Sequence, residues 1–321
     1  MPDMNDSTDS AATAGASARR PTVALALGSG GAKGLAHIGV IEALEAAGFD
    51  IVAVAGSSMG ALIGGTYAAG RLGVYRDWVS ALQKMDVLRL VDWTLSGGGL
   101  IKGERIIAVL RELIGEIDIE ALPIAFTAVA TDIDRQREVW LTRGPLFDAI
   151  RASIAIPTIF RPHQLDGRRL VDGGLMNPVP LTPLLREPSD YIVAVSVNGP
   201  EEALAPQREA SARGEHNGLR QKIAEFVERT IGSHAGSERE TGWLEIMGRA
   251  LDLVQDNLAQ LKLAAHRPDL LIEIPRNACA VYEFYRAEQM IALGRERAER
   301  ALAAWEPAAH TRPGTVPAKP V

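Results

Sequence analysis

The 321-residue chain is 47% hydrophobic and 23% charged, the composition of a globular protein with a sizeable core. Its formal net charge of −6 argues against nucleic acid as a partner. The single cysteine, Cys279, excludes an intrachain disulfide framework and suits a reducing compartment.

Residues 1–20 are rich in Ser, Ala, Asp and Thr, with arginines only at the end. A secretory signal has the reverse order, so this stretch is expected to be a disordered leader and the protein cytoplasmic. Thr22 to Leu27 is a compact apolar strand, followed at once by the loop Gly28-Ser29-Gly30-Gly31-Ala32-Lys33-Gly34. Leu35, Ile38, Ile41 and Leu44 then recur at helical spacing up to Gly48, a C-cap. A β-branched run from Ile51 stops at Gly56, and an apolar helix pattern runs from Met59 to Gly70. Strand, loop, helix, strand, turn and helix in that order predict a right-handed βαβ unit with a parallel sheet. No charged residue occurs from Ile51 to Gly70, about the length of a membrane span, and Gly60 and Gly64 form a G-x-x-x-G pair. The glycines and the serine pair in its middle favour a buried strand and a buried helix instead.

Arg71 to Leu90 predicts one or two amphipathic helices, and Asp92 to Leu100 a glycine-rich loop carrying Trp93. Glu104 to Ile114 returns to helix, Pro123 to Ala130 and Glu138 to Leu141 are strands, and Leu146 to Ile156 is a helix closed by Pro157. Arg169 to Gly174 is a strand ending in a turn, Asn177 to Pro183 is punctuated by proline, and Tyr191 to Val197 is a buried strand. Residues 200–242 shift towards Glu, Arg, Ala, Gly and Ser, with Leu219, Ile223, Phe226, Val227 and Ile231 on one helical face. They read as a surface insertion, with a cap over a site as the alternative. Trp243 to Ala265 is a long helix, Asp269 to Ile274 a strand and Tyr282 to Ala303 a closing helix, before a tail over 304–321 expected to be disordered. The expected fold is a three-layer α/β/α domain over 21–303 with a mainly parallel central sheet.

Two places carry chemistry. Gly56-Ser57-Ser58-Met59-Gly60 is a G-x-S-x-G turn between strand and helix, which exposes the Ser58 hydroxyl at a helix N-terminus. Side chains at 56 and 60 would collide where strand and helix fold back on each other. The glycine loop has two readings. As a dinucleotide fingerprint it fails in register, because Lys33 stands where the last glycine belongs, although Asp50 follows at about the right distance. As a cradle of free backbone N–H groups it fits an anion, and Lys33 there opposes the helix dipole unless an anion, or a neighbouring carboxylate, compensates it. A serine also needs a base. Asp172 ends an apolar strand at Leu170-Val171 and precedes Gly173-Gly174, so it suits a strand-end carboxylate facing a crevice, or simply an Asp-Gly turn.

Together these pieces resemble the patatin-like phospholipase family, nearest its bacterial branch related to neuropathy target esterase. The likeness rests on Gly28 to Gly34, Gly56 to Gly60 and Asp172-Gly173-Gly174 in that order, and extends through Ala36 to Val40 and Arg151 to Pro157. It implies a patatin-like fold and a Ser–Asp dyad, with Ser58 as nucleophile and Asp172 as general base. Backbone N–H groups of Gly30 and Gly31 would form the oxyanion hole, with Gly28, Lys33, Gly34, Met59, Gly173 and Gly174 as supporting positions. One departure stands out: Ser29 occupies the place of the family's first loop glycine, which is expected to alter loop rigidity.

The implied activity is hydrolysis of carboxylic esters in phospholipids or lysophospholipids through an acyl-serine. No cofactor or metal is implied, and calcium dependence stays open. Membrane contact would be transient, through apolar loops such as that of Trp93, which is compatible with a peripheral station at the inner membrane face. The rivals are a Ser–Asp–His esterase using His234 or His266, with His37 and His163 as packing or loop residues; a nucleotide-binding module using the glycine loop; and a silent homologue with a regulatory role.

Overall fold

The structure is a computed structural model that describes residues 19–90, 99–203 and 243–306. The expected leader up to 18, Trp93, most of the insertion, His234 and the tail from 307 lie outside the described residues. In chain order the elements are β1 (Thr22–Leu27), α1 (Ala36–Ala46), β2 (Asp50–Ser57), α2 (Met59–Ala68), α3 (Leu72–Ser80) and α4 (Lys84–Arg89). There follow β3 (Gly99–Ile101), α5 (Glu104–Ile114), β4 (Ala125–Asp132), β5 (Arg137–Leu141), α6 (Leu146–Ser153), β6 (Thr158–Phe160), β7 (His163–Leu165) and β8 (Arg168–Asp172). The chain then continues through β9 (Tyr191–Gly199), α7 (Trp243–Ala265), β10 (Leu270–Pro275) and α8 (Ala287–Ala304).

The central sheet has the order β10-β9-β1-β2-β4-β8-β7, with β5 on the other edge of β4. From β10 to β4 every pair is parallel. These strands read as unbroken apolar runs because helices cover both faces and leave no side for water. The alternation within them decides how thick each layer is. Val23, Leu25 and Leu27 face the large core under α1, α2 and α8, whereas Ala24, Ala26, Ala53 and Ala55 face a thin layer of Val179, Leu181, Leu184 and Ala259 of α7.

Helix α8 closes on α1 through backbone contact. A Cβ on Gly294 would collide with the Ala36 carbonyl oxygen, and one on Gly39 with that of Ile291. The central sheet is mainly parallel, as expected, and β5 and β8 both enter antiparallel to β4. Finer expectations needed correction. The short strand β3 begins within the stretch read as a loop, and β6 and β7 lie where the sequence suggests no element, since three residues are too few to show a period. Helix α6 stops at Ser153, short of Ile156, because the chain turns away and the Ala155 carbonyl accepts the Asp172 N–H at 3.0 Å.

Gly294→Ala is expected to cost about 2 kcal/mol or more, a drop of several degrees in Tm. Gly73→Ala in α3, where an added Cβ meets nothing within 4 Å, should be neutral or stabilise by up to about 1 kcal/mol. Equal melting temperatures for the two variants would contradict the α1–α8 contact.

Candidate active site

The turn between β2 and α2 holds Ser58 at φ 54 and ψ −122. An L-residue at such a φ costs on the order of 1–3 kcal/mol and persists only where its surroundings impose it. The surroundings here are specific. The Ser58 N–H donates to Ser153 Oγ at 2.9 Å, and that hydroxyl donates to the Val129 carbonyl at 2.6 Å. Ser57 Oγ donates to the Asn177 carbonyl at 2.6 Å. A Cβ on Gly56 would strike the Gly60 carbonyl, one on Gly60 the Leu27 carbonyl, and one on Gly34 the side chain of Met59. Glycine at these positions lets the turn fold back on β1 and on the glycine loop.

Asp172 reaches Ser58 because of register on β4. Parallel β2 ends with Ser57 opposite Val129, and antiparallel β8 ends with Asp172 opposite Ala130. Since β5 lines the other edge of β4 over Ala128 to Asp132, β2 and β8 share one edge and meet end to end there. Gly173 is needed at that junction, where a Cβ would run into the Val129 carbonyl. The Thr131 hydroxyl donates to the Asp172 carbonyl at 3.0 Å, and Oδ1 of the carboxylate accepts the Gly174 N–H at 2.7 Å.

The electrostatics of Asp172 follow from its burial, with only 2% of its surface exposed. Loss of water pushes its carboxyl up to about 6, against the smaller opposing pull of the Ser58 hydroxyl and the Gly174 N–H. Although Ser58 is the side chain that tugs on this carboxyl, Oδ2 has no partner in hydrogen-bonding geometry. The two groups face each other in a contact looser than a formed hydrogen bond, as unliganded sites often do.

The glycine loop lies beside them. Gly28 N–H donates to the Val195 carbonyl at 3.0 Å, Ser29 N–H to that of Pro178 at 2.8 Å, and Ala32 N–H to that of Val281 at 2.9 Å. Between these anchors, no acceptor among the described residues takes the N–H of Gly30 or Gly31. Gly31 has φ 58, and a Cβ there would sit 2.6 Å from the Val281 carbonyl oxygen. Lys33 departs from the anion-cradle reading. It is buried, and its Nζ donates to Asn198 Oδ1 at 2.5 Å. Burial lowers its pKa, and the carboxylates of Asp252 and Asp256 on α7 oppose that shift.

The described histidines lie on α1, on β7 and at the end of α7. His37 is fully buried, and desolvation lowers its pKa to about 4, so the neutral ring donates from Nε2 to the Gly28 carbonyl at 2.8 Å. His163 lies 3.9 Å from Asp148, its pKa lowered first by burial. His266 closes α7, with its N–H on the Lys262 carbonyl. Among the described residues, no histidine is hydrogen-bonded to Ser58 or Asp172. The dinucleotide reading fares no better. Asp50 sits at the amino end of β2, paired with Arg20 at 3.0 Å, beside an open depression of about 520 Å³. Ligands in such sheets bind at the carboxyl ends. Among the described residues there is no cluster of three His, Cys, Asp or Glu fit for a metal, and no helix long and apolar enough to cross a membrane.

The sequence model of the family described as patatin-like phospholipase matches residues 25–185, which take in the end of β1, the glycine loop, the elbow and the Asp-Gly-Gly turn. The chain belongs to the patatin-like phospholipase family. An uncharacterized NTE family protein of Mycobacterium tuberculosis is 41% identical over 333 aligned positions, covering 89% of this chain and 92% of the relative. Neuropathy target esterase of Drosophila melanogaster is 29% identical over 188 positions, 56% of this chain and 13% of that protein. The crystal structure of VipD from Legionella pneumophila aligns at a TM-score of 0.44 and 13% identity, covering 89% of this chain and 67% of that one. By family membership the fold is the patatin fold, mixed α/β with a mostly parallel central sheet, and membership supports a lipid-hydrolase function.

Sequence reasoning did not single out Ser153, Asn177 or Asn198. Ser153 was within reach, since it sits in the Arg151 to Pro157 stretch that the family likeness includes. Asn198 carried no signal, because its partner Lys33 meets it only through the β1–β9 pairing.

The raised pKa of Asp172 has a consequence for stability. The folded state binds this proton more tightly than the unfolded chain, so stability falls as pH rises from about 4 to about 6. Asp172→Asn removes that ionisation while keeping an acceptor for Gly174. Its melting temperature relative to the parent is expected to rise across this interval and level off above it. A constant offset between the two proteins over the whole range would show that the carboxyl is not shifted.

Proposed function

We propose that this chain is a serine acyl hydrolase that cleaves carboxylic esters of phospholipids or lysophospholipids through an acyl-serine intermediate. The observation that carries the reading is the buried Asp172 carboxylate, which keeps one oxygen without a partner and whose acidity the Ser58 hydroxyl influences. Family membership and the esterase name of the Drosophila relative support ester chemistry.

In this reading Ser58 Oγ attacks the ester carbonyl carbon, and its proton passes to Asp172 Oδ2. The oxyanion accepts the N–H groups of Gly30 and Gly31, which lack other acceptors among the described residues, each worth on the order of 3 kcal/mol. Collapse expels the alcohol, protonated by Asp172. Water, deprotonated by the same carboxylate, then releases the fatty acid from the serine. A carboxylate of ordinary pKa is a poor base for a hydroxyl. Raising it by about two units makes the proton transfer roughly 3 kcal/mol less uphill, at the cost that the base is charged only above about pH 6. The protein would work in the cytoplasm, meeting lipid surfaces transiently, without cofactor or nucleic acid.

Ser58→Ala and Asp172→Asn are each expected to lower kcat for a p-nitrophenyl ester and for a defined phospholipid by at least about a thousandfold. Fluorophosphonate labelling should vanish in Ser58→Ala. An Asp172→Asn enzyme that keeps most of the parental rate would exclude the dyad. The pH profile is an independent check: kcat/KM should climb tenfold per unit up to about pH 6 and then flatten. An acid limb centred near 4 would mean that an unshifted carboxylate is at work.

A further inference from the structure

The serine at position 29 stands at the centre of a polar junction. Its N–H is held by the Pro178 carbonyl at 2.8 Å, and its hydroxyl donates to Gln255 Oε1 at 3.2 Å. Gln255 belongs to α7, well outside residues 25–185 that match the family. On its other side, Ser29 Oγ lies so near the Asp-Gly-Gly turn that a Cβ on Gly174 would come within 2.8 Å of it. Gly174 is the residue whose N–H holds Asp172 Oδ1. A glycine at 29 would have no atom with which to reach either neighbour.

Helix α7 also engages the site at two other points. Asp252, three residues before Gln255, and Asp256, the residue after it, attract the buried Lys33 of the glycine loop. Lys262 Nζ donates to Glu138 Oε2 at 3.2 Å. The other oxygen of Glu138 accepts Asn177 Nδ2 at 2.7 Å, and the Asn177 carbonyl takes the Ser57 hydroxyl at 2.6 Å. The polar face of one helix therefore touches both the loop bearing Gly30 and Gly31 and the network beneath the elbow.

We infer that Ser29 and Gln255 are a positioning pair, a side-chain hydrogen bond that sets the Gly30 and Gly31 N–H groups at a fixed place relative to Ser58 and Asp172. This rests on the proposed role of those four residues. The pair replaces the stiffness that close backbone packing gives a run of glycines by a tether to α7, so the segment after the matched region completes the site. Because the tether acts on the oxyanion donors, its loss should weaken transition-state binding and leave the ground state alone.

The test is a double-mutant cycle with Ser29→Gly, Gln255→Leu and both together in the full chain. Rates are normalised to the fraction of protein that reacts with a fluorophosphonate, which removes any misfolded material. Each single variant is expected to lower kcat about three- to tenfold with KM changed less than about twofold. The double variant should be no slower than the slower single, because one bond is removed in all three. Ser29→Gly adds no bulk, so it keeps the question open should Gln255→Leu fold poorly. Single variants with parental kcat, effects that multiply in the double variant, or a change confined to KM would each overturn the pairing. Ser58→Ala serves as the reference: if that variant still hydrolyses ester, the proposed nucleophile is wrong, whereas an inactive Ser58→Ala beside unaffected Ser29→Gly refutes the tether alone.

Discussion

One strand sets the geometry on which the site depends. Along a single edge of β4, Val129 and Ala130 receive the ends of two strands arriving from opposite directions, β2 with Ser57 and β8 with Asp172. Backbone hydrogen bonding sets that meeting to within a fraction of a residue, and a slip of one position would turn either strand's side chains to the other face. Neither Ser58 nor Asp172 sits in a loop free to wander: Ser58 follows directly on β2, and Asp172 is the last residue of β8.

Two unfavourable features are concentrated at this junction. Ser58 holds a backbone conformation that side chains avoid, and Asp172 carries a carboxyl stripped of water. The surrounding polar groups impose both. Ser153 captures the Ser58 N–H, Asn177 captures Ser57, and Thr131 and Gly174 hold the two ends of Asp172. One oxygen of the Asp172 carboxylate is left without a partner, so the site is under-satisfied at the group that would take up a proton.

The C-terminal segment belongs to the same construction. A loop of glycines has no side chains with which to hold itself, and its anchors come from elsewhere: the Val281 carbonyl for Ala32, Asn198 for Lys33 and Gln255 for Ser29. Helix α8 locks down α1, the helix that follows this loop, through the glycine contacts at 39 and 294. Residues beyond the family-matched stretch thus bear on the geometry of the matched part.

The local grammar of the chain was legible from the sequence. Apolar runs of strand length, helical spacing between Leu35 and Leu44, and glycines at 48 and 70 with positive φ identified the βαβ start, because those signals act over a few residues. The elbow was legible too: Gly56 answers to a collision within its own turn, although Gly60 answers to the Leu27 carbonyl of β1. What lay out of sight involved partners far apart in the chain: the antiparallel entry of β8, the diversion of Lys33 to Asn198, and the role of Ser153. By itself the sequence determined the longer elements and the elbow, since periodicity and steric exclusion are short-range. It offered Asp172 as a strand-end carboxylate or an Asp-Gly turn, between which the family resemblance chose. Only the tertiary structure decided that this carboxylate is desolvated, raised towards neutrality and set against Ser58, because burial and register come from strands that meet only when the sheet closes.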